Sequence, residues 1–165
     1  TGDRDTTEIT HLIGGMLTAA GYATGIAARD GLFLGESRMT RVESGGAAAK
    51  RRVLLNPMVE MAVLEIPPAE IVTDGLAFER CDVAVVTSLS GASLAGLPPA
   101  ESVICRAVTP DGILIVPSDD DELVEFARRF GRKVVVLPKE SEGRSMAAMA
   151  ARVAADALGV PIDVY

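Results

Sequence analysis

The amino-acid sequence predicts an α/β fold in which a mostly parallel sheet has helices on both faces. Short, continuous apolar runs such as Met61–Ile66 and Lys133–Leu137 are typical of strands that are buried on both sides. Segments with the apolar spacing of helices separate most of these runs, as in repeated strand–helix units. The chain has 165 residues, 48% of them apolar, which is the size and composition of one globular domain, and we expect residues 1–165 to form one.

The first half of the chain contains predicted elements that are marked by periodicity or by turn signals. Apolar residues recur at helical spacing between Ile9 and Leu17. Asp30–Gly31 is a hairpin signal between two strands, and Gly45–Gly46 and Asn56–Pro57 bracket a helix. These signals predict a helix at Asp5–Ala20, strands at Tyr22–Ala27 and Leu32–Leu34, a helix at Ala47–Leu55 and a strand at Met61–Ile66.

The second half continues the alternation of strands and helices. Pro110–Gly112 predicts a turn that ends one helix, and Gly159 is a C-cap signal for another. The acids from Asp119 onward suit the positive end of a helix dipole. The predicted elements are strands at Val83–Thr87, Ile113–Val116 and Lys133–Leu137, and helices at Ser102–Val108, Asp119–Phe130 and Ser141–Leu158.

Composition and charge exclude several classes of function. A net charge of −7 disfavours nucleic acid and anionic membranes as partners. No apolar run approaches the roughly 18 residues that a membrane span needs. Cys81 and Cys105 lack CxxC spacing, which predicts free thiols in a reducing cytoplasm rather than a zinc site or a disulfide. His11 is the only histidine, and we expect it at the surface of the first helix.

The carboxyl ends of the predicted strands are where a parallel α/β sheet binds ligands. In this sequence the segments to consider are Thr1–Thr7, Glu65–Glu70, Ser88–Ala95 and Pro117–Asp121. Acidic residues in and beside these segments would favour a cation, a divalent metal or a basic peptide over a phosphate ester. These acids are Asp3, Asp5, Glu8, Glu65, Glu70, Asp119 and Asp120.

Several stretches match one family of known proteins in the same order along the chain. They read TGDRDTTEITHLI at 1–13, DGLFLGE at 30–36, NPMVEMAVLE at 56–65, DGLAFERCDVAVV at 74–86, AVTPDGILIVPSDDD at 107–121 and AADALGV at 154–160. In these stretches the chain resembles the central, ATP-binding domain of the Mur ligase superfamily, with cyanophycin synthetases the most similar members. The resemblance covers nearly the whole chain and implies a P-loop NTPase-like fold.

The resemblance implies ATP-dependent amide ligation, with ATP and Mg²⁺ as cofactors. In the family, ATP phosphorylates a carboxylate and an amine then attacks the acyl phosphate. A glycine-rich phosphate loop of approximate text TGTNGKTT surrounds the phosphates with backbone N–H groups. The matching positions imply that Gly2, Arg4, Thr6 and Thr7 contact the phosphates and that Asp119 lies on the nucleotide side. Thr7 and Glu65 match the positions that hold magnesium.

The departures from the family pattern fall on the residues that carry the chemistry. Asp5 stands where the loop has glycine, and Thr6 stands where it has lysine. Ala92 and Ser93 stand where the family has an Asp-His pair whose histidine binds the second magnesium. A carboxylate about 4 Å from a phosphate charge costs roughly 4 kcal/mol at an effective dielectric constant of about 20. An alternative role for Asp5, or for Asp3, is to cap the following helix.

These observations leave more than one function open. The leading hypothesis is a catalytically degenerate domain that serves as a structural or interaction module of an amide-ligase system. The alternative is an active ATP-dependent ligase domain in which Arg4, Thr7 and Glu65 hold MgATP. The third is a domain that binds another ligand at the acidic strand ends. An enzymatic activity for this chain alone therefore stays undecided at this point.

Two parts of the family's architecture have no counterpart in this sequence. One is the strand that leads into the phosphate loop, which would precede Thr1, and the other is the C-terminal domain of the ligases. An uncovered sheet edge exposes backbone donors and acceptors, and proteins normally cover such an edge. We therefore expect a homo-oligomer, or docking onto the rest of a larger ligase.

Overall fold

Helices and strands alternate along the chain in the computed structural model, which describes residues 1–2, 5–41, 46–90, 99–139 and 145–160. The helices are α1 (Thr6–Ala19), α2 (Ala47–Leu54), α3 (Pro68–Asp74), α4 (Glu101–Ala107), α5 (Asp121–Arg128) and α6 (Met146–Ala157). The strands are β1 (Thr24–Ala28), β2 (Gly31–Leu34), β3 (Ser37–Arg41), β4 (Met61–Leu64), β5 (Cys81–Val85), β6 (Val108–Pro117) and β7 (Lys133–Leu137). The predicted α/β fold class is confirmed.

The strands of the described residues form two sheets. Strand β4 at the edge of the first sheet and strand β5 at the edge of the second line the same groove. The first sheet has the order β3-β2-β1-β4, and the second has the order β5-β6-β7. In the first sheet β1 pairs with β2 in antiparallel orientation and with β4 in parallel orientation. Both pairs of the second sheet are parallel. The single sheet that the sequence suggests is therefore divided, because no described strand pairs with both β4 and β5.

Helices cover both faces of the second sheet, as predicted. Along β6, Ile113 and Ile115 belong to the core cluster formed with α1 and α6. Leu114 and Val116 belong to the cluster formed with α4 and α5. This alternation follows from the two-residue side-chain period of a strand, and it explains why residues 113–116 of β6 form a continuous apolar run.

Several boundaries differ from the sequence-based expectation. The Pro67–Pro68 pair begins α3 rather than a stiff turn, because proline fits the first position of a helix, where no N–H partner is needed. Strand β6 already begins at Val108, where a helix was expected to end, since Val108 pairs with Cys81. Helix α6 is described from Met146 and is capped by the Ser145 side chain, which accepts from the Ala148 N–H at 3.1 Å. Residues 141–144 of the predicted helix lie outside the described residues.

The two cysteines are free thiols, as their spacing predicts. Burial, reinforced by the charge of Asp82, raises the pKa of Cys81 to about 11. Burial also raises the pKa of Cys105 to about 12, so both side chains are protonated at neutral pH. Among the described helices, none has the length and apolar character needed to cross a membrane.

Candidate functional site

The first turn of α1 meets the carboxyl end of β4 at the side chain of Glu65. Glu65 follows β4 directly and is only 4% exposed. The Thr6 hydroxyl donates to Glu65 Oε1 at 2.9 Å. The Thr7 hydroxyl lies 2.9 Å from Oε1 and 3.0 Å from Oε2. Three of the residues that the family resemblance singles out, Thr6, Thr7 and Glu65, are therefore in direct contact.

Arg29 completes this cluster, and the sequence interpretation missed it. The Arg29 backbone N–H donates to Glu65 Oε2 at 2.6 Å, and its Nε lies 3.8 Å from Oε1. Parallel pairing of β1 with β4 brings the two strand ends together, with the Glu65 N–H donating to Ala27 O at 2.8 Å. The signal in the sequence is weak, because it requires knowing which strand pairs with β4. We call Thr6, Thr7, Arg29 and Glu65 the Glu65 cluster.

The first two residues of the chain extend along the end of β5. The Thr1 amino group donates to Val85 O at 2.6 Å, and the Thr87 N–H donates to Thr1 O at 2.8 Å. Gly2 is buried and has a φ of 127°. A Cβ at Gly2 would collide with the Thr87 hydroxyl and lie 2.8 Å from the Ser88 nitrogen, so no other residue fits without a shift.

Asp5 takes the N-cap position of α1 in a left-handed conformation, with a φ of 52°. Its side chain makes no capping hydrogen bond, so the capping role considered for it is not observed. For a residue other than glycine, the left-handed backbone conformation costs about 1–2 kcal/mol of conformational energy, and aspartate adopts it more readily than most residues. The backbone at this position thus has the conformation that glycine adopts most easily, as in the family's loop. Arg4 and Asp3 lie outside the described residues.

A second buried carboxylate lies near the end of β5. Glu101, the first residue of α4, has no exposed surface and accepts from the Ser90 N–H at 2.9 Å and the Ser90 hydroxyl at 3.0 Å. This contact joins the residues on either side of 91–98, the segment that contains Ala92 and Ser93 and lies outside the described residues. Sequence analysis gave Glu101 no role, because a single acid at the start of an apolar helix looks like a solvated residue.

Three other acids that the sequence analysis names, Glu70, Asp119 and Asp120, have separate surroundings in the described part of the chain. Asp119 is exposed after β6, and Asp120 caps α5 by accepting from the Leu123 N–H at 2.9 Å. The Glu70 carboxylate pairs with Lys50 at 2.7 Å. His11 is bonded to Asp30 at 2.9 Å and is partly exposed, close to the predicted surface position. Of the acids considered for a cation or basic-peptide site, Glu70 is thus paired with a lysine and Asp120 caps a helix.

A groove of about 310 Å³ separates the edges of β4 and β5. Residues 60–66 line one wall and residues 80–85 line the other. Thr1, Thr6, Glu65 and Thr87 form its polar end. Apolar side chains of α1 and α6, including Ile13 and Ala154, form its floor. Asp119 does not line the groove.

The donor set of the Glu65 cluster fits magnesium and ATP poorly. A carboxylate has about four acceptor positions, and three donors, namely two threonine hydroxyls and one backbone N–H, occupy most of those of Glu65. Magnesium needs near-octahedral oxygen coordination, which would require these bonds to be exchanged. Within residues that the structure describes, no three His, Cys, Asp or Glu side chains are grouped to hold a metal. Thr6 supplies a hydroxyl, not a cation, at the lysine position.

Comparison with known proteins finds similarity to cyanophycin synthetases. No protein-family model matches the chain. The chain is 29% identical over 142 residues to a cyanophycin synthetase from Geminocystis herdmanii, covering 81% of the chain and 16% of that protein. It is 27% identical over 150 residues to a cyanophycin synthetase from Nostoc sp., covering 86% of the chain and 17% of that protein. The chain thus spans about a sixth of the length of these relatives.

A solved structure supports the same fold. A UDP-N-acetylmuramoyl-L-alanyl-D-glutamate–2,6-diaminopimelate ligase superposes with a TM-score of 0.75 over 99% of this chain and 43% of the other. The sequence identity is 14%, so this likeness concerns the fold alone. The fold expected from the family resemblance is confirmed.

Proposed function

We propose that this chain, a Mur ligase-like domain similar to part of cyanophycin synthetase, is a non-catalytic structural or interaction module of an amide-ligase system. The observation that carries the proposal is the Glu65 cluster. Its carboxylate joins α1 to β4 and to the end of β1 through hydrogen bonds from Thr6, Thr7 and Arg29. A buried carboxylate that accepts these three hydrogen bonds holds the elements together, which supports a structural role for Glu65.

Electrostatics favour the same conclusion. Transfer of a phosphoryl group needs positive charge and preorganised donors around the phosphate oxygens. Thr6 provides no charge where the family has lysine, and Asp5 adds a negative one to the loop. The chain keeps the strands and helices of the fold although these loop residues differ. A fold kept in this way can present a surface for contact with other parts of a ligase. The free thiols suit a reducing compartment, and we place the module in the cytoplasm.

Isothermal titration with MgATP up to millimolar concentration, together with a thermal shift, tests the proposal. We expect no heat of binding and no rise of Tm. The null result is informative, because a bound ligand at 100 times its Kd would stabilise the protein by about 2.7 kcal/mol. The matched comparison is the double variant Asp5→Gly, Thr6→Lys, which restores the family's loop residues and should gain measurable affinity. Micromolar binding of MgATP to the unaltered chain would overturn the proposal.

One observation favours the second candidate, an active ATP-dependent amide ligase domain. Thr7 and Glu65 bring a hydroxyl and a carboxylate within 2.9 Å of each other at the end of β4. Both groups are hard oxygen ligands of the type that magnesium accepts. If MgATP binds, this candidate requires the affinity to fall at least tenfold in Thr7→Val, whereas Thr10→Val on the same helix should leave it unchanged.

A further inference from the structure

Strand β7 forms the outer edge of the second sheet, and no described strand pairs with its far side. The Leu137 carbonyl oxygen accepts from the Ser118 N–H at 2.8 Å, so the backbone groups of Leu137 point towards β6. Because these groups alternate in direction along a strand, Val135 also faces β6, and the N–H and C=O groups of Val134 and Val136 point outwards. These outward groups form an edge to which another strand can bind.

The side chains of β7 leave this edge open to strand addition. Val134 packs against the core cluster beneath α4 and α5, and Val136, on the same face of the strand, is 38% exposed. The outer edge of the first sheet is β3, which is polar and contains the exposed Arg38. Charged side chains hinder pairing at an edge, and β7 has one only at its first position, Lys133. Of these two outer edges, β7 is therefore the one suited to strand addition.

Helix α5 lies beside this edge and turns one side towards it. Helix α5 contacts β6 and β7, whereas α4 contacts β5 and β6. The side of α5 that faces α4 is marked by Phe126, whose ring lies edge-on 5.1 Å from that of Phe130. Arg106 of α4 in turn lies 5.7 Å from the centre of the Phe130 ring. The opposite side of α5 therefore faces the β7 edge.

This edge-facing side of α5 carries opposite charges at its two ends. Asp121 precedes Val124 by three residues and Arg128 follows it by four, which places the three side chains in one row. Asp121 is the first residue of the helix and Arg128 the last, and both are exposed. Arg128 also lies 2.8 Å from Glu125, in a solvent-exposed ion pair of the kind that contributes little to stability.

We propose that the β7 edge is a dimer interface, at which a second copy of this chain adds its own β7 in antiparallel orientation about a two-fold axis at Val135. In this register Val134 lies opposite Val136 of the second copy, and the two residues exchange both of their backbone hydrogen bonds. The same holds for Val136 and the second copy's Val134, so every outward group of the two valines is bonded. Pro138, directly after β7, has no N–H with which to extend the pairing.

The two-fold axis also brings the α5 helices of the two copies together. Neighbouring strands are about 4.8 Å apart, and because α5 lies over β6 and β7, the two helices would be separated by two such spacings, roughly 10 Å. This is the distance between packed helices. Because the axis reverses the second helix, Asp121 of each copy lies opposite Arg128 of the other, with Val124 between them. A charge pattern that is complementary to its own reversed copy favours a second copy of this chain over an unrelated protein.

The inference goes beyond the proposed function and does not depend on nucleotide binding. The groove lies along β5, and the dimer interface lies along β7 at the opposite edge of the same sheet. Loss of the dimer and binding of MgATP are therefore separate results, and neither decides the other.

Sedimentation velocity of the 165-residue chain, from micromolar to millimolar concentration, tests the proposal. Arg128→Asp places like charges opposite each other twice in the dimer, and it should raise the dimer Kd at least about tenfold. Adding Asp121→Arg to the same chain makes the facing charges opposite again, and it should return the Kd to within about threefold of the unaltered value. Arg129→Asp is the matched control and should leave the Kd unchanged, because Arg129 follows Phe126 by three residues, on the side of α5 that faces α4.

Residue-resolved hydrogen exchange locates the interface. The N–H groups of Val134 and Val136 are bonded only in the dimer, so we expect their exchange to slow at least about tenfold between the lowest and highest concentrations. The Val135 N–H faces β6 in either state and should change less. A chain that stays monomeric at millimolar concentration would overturn the proposal, as would equal effects of Arg128→Asp and Arg129→Asp. Slow exchange of Val134 and Val136 in the monomer would also overturn it, because another part of the chain would then cover the edge.

Discussion

At the scale of single residues, the Glu65 carboxylate holds the candidate site together through the hydrogen bonds that it accepts. Each of its oxygens accepts from inside the protein, and the side chain is almost fully buried. Glutamine has the same shape but only one acceptor oxygen, so Glu65→Gln leaves the Arg29 N–H or a threonine hydroxyl without its acceptor. We expect a loss of about 1–3 kcal/mol of stability, measured by urea unfolding.

The control for this prediction is Glu36→Gln, because Glu36 is an exposed residue of the turn between β2 and β3. Its replacement should change stability by no more than about 0.5 kcal/mol. If Glu65→Gln unfolds at the same urea concentration as the control, the hydrogen bonds of the Glu65 cluster do not stabilise the fold. The structural role proposed for this carboxylate would then be wrong.

Residues of the site could be predicted only where the signal was local or carried by the family resemblance. Thr7 and Glu65 match family positions, and the structure brings their side chains into contact. Arg29 and Glu101 were missed because their contacts depend on partners that are distant in sequence. Arg29 reaches Glu65 across 36 residues, through the pairing of β1 with β4. No pattern around either residue reports such a neighbour.

At the scale of secondary structure, helices α2 and α3 are joined by a buried ion pair. Lys50 Nζ lies 2.7 Å from Glu70 Oε2, with side chains that are 7% and 11% exposed. The second oxygen of Glu70 is buried without a hydrogen-bond partner among the described residues. Removing one charge of such a pair leaves the other buried and uncompensated, which costs more than removing both.

We therefore expect Lys50→Met to lower stability by about 3–5 kcal/mol. The double variant Lys50→Met, Glu70→Leu should recover most of this loss, because no isolated charge remains in the interface. Thermal and urea unfolding of the single and double variants measure the difference. A double variant that is no more stable than Lys50→Met would show that the uncompensated charge of Glu70 is not the cause of the loss, contrary to this expectation.

The elements that sequence analysis predicted well have strong local signals. Gly159 was expected to end a helix, and it follows the C-cap residue Leu158 of α6 with a φ of 79°, while the Val160 N–H donates to Ala155 O at 3.0 Å. Strand β3 was missed because Ser37–Arg41 is polar and lies at the edge of its sheet. Helix α3 was missed because two consecutive prolines suggest a turn. In the structure Pro67 is the N-cap residue and Pro68 is the first residue of the helix.

At the scale of the whole molecule, the fold class follows from the sequence, but the division into two sheets does not. Continuous apolar strands separated by helices indicate parallel pairing and helices on both faces. Which strands are neighbours is set by long-range pairing, and a gap between β4 and β5 leaves no mark in the composition of either strand. The groove could be recognised only when both edges and Thr1 were placed together.

At the polar end of the groove, the Thr1 amine donates to Val85 O of β5 and lies in the field of Glu101 and Glu65. Burial lowers the pKa of this amine from 8.0 to about 6. The unfolded chain therefore takes up a proton between pH 8 and pH 6 that the folded chain does not, so folding stability falls as the pH falls through this range.

We expect this loss to reach about 2 kcal/mol when the pH falls to 6 in a chain that carries a free amine on Thr1. The same chain acetylated at Thr1 has no amine to protonate, and its stability should change less over the same range. Because the two proteins differ only at this amine, the difference between their unfolding free energies isolates its contribution. Parallel stability curves for the two chains between pH 8 and pH 6 would mean that the amine is solvated and is not buried against Val85 in solution.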